Sequence, residues 1–317
     1  VIGLVFVASY LTAFHAPHPH GAPVAVVPGP GAAAFEKAAS RASPGQWVFD
    51  TAASPTAAER SVAHGTALAA LLPGSPAVID VAGANGPSAL AAVSSELSRA
   101  AVAAGLHPTL HDVDPLRSQD SSGLSLFYLA FGSVLAGYLF AIASVTLGPD
   151  LSAIAHWASS ATLALLLGAS VAVLAGPAFG VVADRDAPAV GGLVTLLVVG
   201  VAATTAMFLT LSRALGTVIG TVVLLTIGTV TGGVLPRPML PGWAQNTRDL
   251  LPNGLALDAI RGVVYFHGHD VGMGVAGLAL WAIVPLAAIT TYQRALGNNR
   301  RADDVPVASH LSSRSPT

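Results

Sequence analysis

Residues 189–211 read AVGGLVTLLVVGVAATTAMFLTL, without one charged side chain. An α-helix needs about 20 apolar residues to cross the hydrocarbon core of a bilayer, and this stretch meets that length. Four more runs of the same kind flank it, at 124–147, 157–182, 217–235 and 273–292, separated by short polar breaks. Lipid offers no partner for a bare backbone amide, so each run reads as a helix that satisfies its own hydrogen bonds. The expectation is a polytopic α-helical membrane protein of the plasma membrane, with residues 123–293 forming a five-helix transmembrane domain.

Composition points the same way. The chain has 317 residues, 53% hydrophobic and 9% charged, against roughly 25% charged in soluble domains. The net charge is −2 and no basic tract is present, so nucleic acid is not expected as a partner. There is no cysteine, which excludes disulfides, thiolate metal sites and a cysteine nucleophile. Nothing in the sequence calls for a metal or a cofactor held by this chain, and no nucleophile–base pair points to an enzyme.

Residues 1–14 are apolar but short for a span. They read as a truncated first transmembrane helix; the other reading is the tail of a signal peptide's apolar core. With the first helix counted, six spans are expected. Residues 15–122 have a different texture. Strand-length apolar runs at 22–27, 46–51, 77–81 and 109–113 alternate with helical stretches. One helix opens either with Ser54 as N-cap and Pro55 at its first position or with Thr56 and Glu59 as a capping box, and is expected to run to about Leu72. Another covers 87–104 and stops at Gly105. Strands alternating with helices give a small α/β domain, placed outside the cytoplasm between spans one and two.

Two features of this region have a chemical reading beside a plain one. His15, His18 and His20 are metal-ligating types, but they sit in a proline-rich linker that does not preorganise them. Gly83-Ala84-Asn85-Gly86 lies between a strand and a helix, where a phosphate can sit on helix amides. It lacks the P-loop lysine and the Rossmann glycine spacing, and reads as an ordinary turn.

Arg213 in the turn 212–216 and Arg294, Arg300 and Arg301 in the tail 294–317 set orientation by the positive-inside rule. They place these segments, and the break 148–156, in the cytoplasm; the tail reads as disordered. Gly176 with Gly180, Gly216 with Gly220, and Gly228 with Gly232 have the four-residue spacing that lets helices pack closely in lipid. The segment 237–271 is the most distinctive. Pro236, Pro238 and Pro241 end a span, Trp243 is an interfacial anchor, and 255–266 reads as a short amphipathic helix lying at the outer surface or dipping into it. Asp258 and Arg261, three apart, are expected to pair on that helix as a solvated ion pair, with an external gate as the functional alternative.

Several stretches carry a family resemblance. They are Pro23-Val24-Ala25-Val26-Val27, Ala58-Glu59-Arg60 leading into 62–71, Leu251-Pro252-Asn253-Gly254, Ala259-Ile260-Arg261-Gly262 and Tyr265-Phe266. With the one-plus-five layout, these resemble the permeases of type-2 ATP-binding-cassette (ABC) exporters, in the phage infection protein branch. Pro28-Gly29-Pro30-Gly31 departs from that pattern by replacing an Asn-Glu-Asp-like turn. The resemblance implies a homodimeric permease without its own ATPase, so ATP enters through a separate nucleotide-binding subunit. It also implies a cytoplasmic coupling segment at 148–156, with Asp150 and His156 as its polar residues. The substrate class it implies is amphipathic or lipid-like. The competing expectation is a membrane receptor or scaffold whose external domain binds an envelope component or a protein.

Overall fold

The computed structural model describes residues 2–148 and 152–303. Short runs of small and β-branched residues build a five-stranded sheet: β1 (Ala22–Val26), β2 (Trp47–Thr51), β3 (Ala69–Leu72), β4 (Ala77–Val81) and β5 (Pro108–Asp112). The order is β2-β1-β3-β4-β5. β1 runs parallel to β2 and β3, β4 antiparallel to β3, and β5 parallel to β4. Because side chains alternate across a strand, the sheet has two apolar faces. Val24, Val26, Leu71, Ile79 and Val81 pack against Phe35 of helix α2 (Ala32–Ala42) and Leu97 of helix α4 (87–103). Ala25 and Ala70 meet Ala58 and Val62 of α3 (Pro55–Ala63), and that cluster continues into the membrane half.

Four of the strands form within a residue of their expected ends. Ser54 caps α3, its Oγ accepting from the Ala57 amide at 3.2 Å, with Pro55 in the first turn. The expected continuation of this helix to Leu72 is overturned. Gly65 turns left-handed at φ 70°, and the apolar residues after it form β3, in the middle of the sheet. A strand of Ala and Leu, buried but for its last residue, has no alternation to distinguish it from a helix. Helix α2 was not expected either; it follows Gly31, which holds φ 83°.

Among the described residues, five helices are long and apolar enough to cross a membrane. They are α5 (Ser125–Leu147), α6 (153–178), α7 (Ala187–Leu211), α8 (Arg213–Thr231) and the apolar part of α11, Val271–Tyr292. α11 itself extends over Val271–Asp303. α7 is the most buried of the five and packs on α5, α6 and α11. Small residues make this possible: a Cβ on Gly191 would lie 2.7 Å from the Gly168 carbonyl oxygen of α6. Helix α1 (Ile2–Phe14) is shorter and lies against α8.

The breaks between these helices fall alternately at two ends. At one end, Arg117 Nε donates to the Gly180 carbonyl at 3.1 Å, tying the chain below the sheet to the α6–α7 turn. At the other, Ser144 of α5 and His156 Nδ1 of α6 are 2.6 Å apart, and Ser212 caps α8. The sheet half and the membrane half share one core at the first end. Leu235, Met239, Leu240 and Ala244 join the cluster of Val24, Phe35 and Leu71. The His20 amide donates to Pro238 O at 2.8 Å, and Gln245 Nε2 donates to His20 O at 3.2 Å.

Candidate functional site

Between α8 and α11 the chain makes two short helices, α9 (Gly242–Arg248) and α10 (Pro252–Val264). Three prolines stop α8 from continuing, and Pro252, preset for a first helical turn, starts α10. α10 does not lie on a surface. Residues 252–257, 259 and 260 are buried against α7, α8 and α11. Gly228 and Gly232 give it room on α8. A Cβ on either would come within 2.6 Å of Asn253, at its Oδ1 and its carbonyl carbon respectively. Of the other paired glycines, Gly176 faces Ala187 and Gly216 faces Leu209, whereas Gly180 is a turn residue at φ 66°.

The ion pair differs from the expected one. Asp258 pairs with Arg248 of α9. Arg248 Nε donates to Asp258 Oδ2 at 2.7 Å, and Nη2 donates to Oδ1. Its Nη1 donates to the Thr231 carbonyl at 2.5 Å, at the C-terminal end of α8, and to Leu235 O at 3.4 Å. A cation at that end complements the unsatisfied carbonyls there. Arg261 turns instead to Val234 O, at 3.1 Å from Nη2. The physical reason is geometric: an arginine on the neighbouring helix can present its fork in the carboxylate plane, and the next turn of the same helix offers no such approach here.

Nor is the pair solvated on both sides: the Asp258 side chain is 29% exposed, toward the cavity, and Arg248 is fully buried. An exposed pair contributes about 0–1 kcal/mol, whereas removing one partner of a buried pair costs about 3–5 kcal/mol. Burial disfavours the Arg248 charge, but the Asp258 carboxylate outweighs that and holds its pKa above the usual arginine value. Arg261 has no carboxylate in contact among the described residues. Burial, and then the charge of Arg248, push its pKa down to about 10, so it stays cationic at neutral pH.

These groups border a cavity of about 390 Å³ between the sheet half and α10, lined among others by His20, Asn85, Arg237, Asp258, Arg261 and Asp270. Arg237 is paired with Asp249 at 2.8 Å, and His269 Nε2 lies 3.5 Å from Asp270. No family model, no curated protein sequence and no solved structure matches this chain.

The remaining expected positions are elsewhere. Asp150 lies outside the described residues. His156 is half-buried at the far end of the bundle, bonded to Ser144. His18 and His20 stack at 4.3 Å, while His15 Nδ1 lies 2.7 Å from Leu11 O; among the described residues no three His, Asp or Glu side chains converge as a metal site. Gly83 to Asn85 form a tight turn in which the Gly83 amide donates to Asp112 Oδ1 at 2.8 Å. Arg248 and Asn85 were not singled out as site residues. The sequence signal for Arg248 is a lone cation ten residues before Asp258, across a proline-started turn; that for Asn85 is its place in the strand-to-helix turn Gly83-Ala84-Asn85-Gly86, which reads as an ordinary turn.

Proposed function

We propose that this chain is the permease subunit of an ABC-type exporter, a homodimer in the plasma membrane that moves an amphipathic or lipid-like substrate and is driven by a separate ATPase. In this reading α1 is the end of a first span, making six, and the sheet half lies outside the cytoplasm. His156 and Asp150 belong to the coupling segment, and α9 and α10 form an external gate.

The observation that carries the reading is the α9–α10 pair, folded back into the bundle and anchored by Arg248 and Asp258. A helix that serves only as an anchor has no need of charges buried among its neighbours, and ionisable residues at such places mark functional positions. The sequence given holds no P-loop, its only lysine being Lys37, so ATP turnover falls to a partner.

The test is co-purification of the tagged protein in mild detergent with mass spectrometry. A stoichiometric ATPase carrying a P-loop is the expected result. Envelope or membrane proteins without any ATPase overturn it in favour of a receptor or scaffold, a reading that the cavity beside the sheet half also supports.

A further inference from the structure

We infer that the cavity between the sheet half and α10 is a binding site for a small organic oxyanion, a phosphate or carboxylate, held by Arg261 and Asn85. The inference goes beyond the permease reading and does not need it, since such a site exists with or without an ATPase.

Two polar side chains from opposite halves of the molecule carry it. Arg261 is 7% exposed and Asn85 8% exposed, and both line the cavity. Buried polar groups in folded proteins are almost always hydrogen-bonded. Of the several N–H donors of the Arg261 guanidinium, one is used, toward Val234 O. The Asn85 carboxamide has no protein partner among the described residues. None of their remaining polar atoms is sealed in the packing, so these atoms open onto the cavity. The backbone next to Asn85 approaches the carbonyl that Arg261 binds: a side chain at Gly86 would begin 3.8 Å from Val234 O.

The chemistry of the pair selects the ligand. A guanidinium fork matches the oxygens of phosphate or carboxylate, and a carboxamide N–H₂ adds a neutral donor. Two of the three carboxylates that line the cavity are already held by arginines. Asp258 is bound by Arg248 and Asp249 by Arg237. Asp270 has His269 beside it at 3.5 Å. Leu255, Phe266 and Met273 add apolar wall, which gives room for a few carbons behind the anionic group. A volume of about 390 Å³ is at the small end of the ~300–1,000 Å³ typical of ligand sites.

The experiment is thermal unfolding of the full chain in an uncharged detergent at constant ionic strength, read by tryptophan fluorescence. Inorganic phosphate is titrated in one arm and dihexanoyl phosphatidylglycerol in the other. The expected result is a saturable rise in Tm. A rise with phosphate assigns the site to a free solute; a rise with the lipid alone assigns it to a head group. Arg261→Gln should abolish the rise, Asn85→Ala should weaken the apparent affinity about tenfold, and Arg99→Gln, on the exposed side of α4, should leave it intact. If Arg261→Gln does not fold, Asn85→Ala decides. No saturable rise with either probe, or an unchanged rise in Asn85→Ala, overturns the inference.

Discussion

α7 and α10 are both buried, by different means. α7 carries no charge and sits at the centre of the bundle because Gly168 and Gly191 let its backbone approach α6. α10 is barely half as long, carries Asp258 and Arg261, and is held by an arginine from α9. Apolar side chains gain little by leaving lipid for protein, so shape decides where α7 goes. A fully buried guanidinium tolerates only a position where a carboxylate reaches it, so the pair of Arg248 with Asp258 decides where α10 goes.

Asp258→Ala is the strongest way to break this contrast. It leaves the Arg248 charge buried and alone, and should cost about 3–5 kcal/mol, read as a lowered Tm and poor yield in detergent. The double variant Arg248→Met with Asp258→Leu should recover most of that loss, because an apolar pair of similar volume replaces an ion pair at little cost. Failure of the double variant to recover would assign the pair more than a holding role. Leu240→Ala comes next. Leu240 is fully buried in the core shared by both halves, and its truncation should cost about 3 kcal/mol. A single cooperative transition that moves as a whole is expected; a sheet half that melts early by itself would show that the shared core does not couple the halves. Gly191→Ala should cost about 2 kcal/mol by overpacking and should lower Tm without a pH dependence.

The smallest effect sharpens the contrast at the sheet edge. Burial raises the Asp114 pKa, against the pull of His267, and its Oδ2 has no partner among the described residues. A carboxyl whose folded pKa lies above its unfolded value costs stability where it is ionised. That cost disappears as pH falls through the raised folded pKa toward the ordinary value of about 3.9. Asp114→Asn should therefore be slightly more stable than the parent at neutral pH. The advantage should shrink through that window, in paired Tm measurements; an advantage independent of pH would refute the assignment.

How legible each part was follows from the range of the forces. The long helices were plain in the sequence because lipid imposes its demand on each of them separately. β1, β2, β4 and β5 were visible as short runs bounded by turn residues, whereas β3 hid because Ala69 to Leu72 show no alternation to read. Asp258 and Arg261 stood out as charges in an apolar stretch. The groups around them did not: Arg248 reaches Asp258 only across the α9–α10 turn, and Asn85 comes to line the same cavity as Arg261 only once the sheet half has docked on the bundle.

That docking makes one demand on the membrane. The sheet half and α9 must lie on the same side, and the α7–α8 turn on the other. The absence of native cysteine makes the measurement clean: single substitutions Lys37→Cys, Gly242→Cys and Arg213→Cys, labelled in intact cells with a membrane-impermeant maleimide. The account predicts that Lys37→Cys and Gly242→Cys are labelled in intact cells and Arg213→Cys only after permeabilisation. Labelling of Arg213→Cys in intact cells with the other two protected, or all three labelled together, would contradict an exporter-like subunit with an external sheet half and gate.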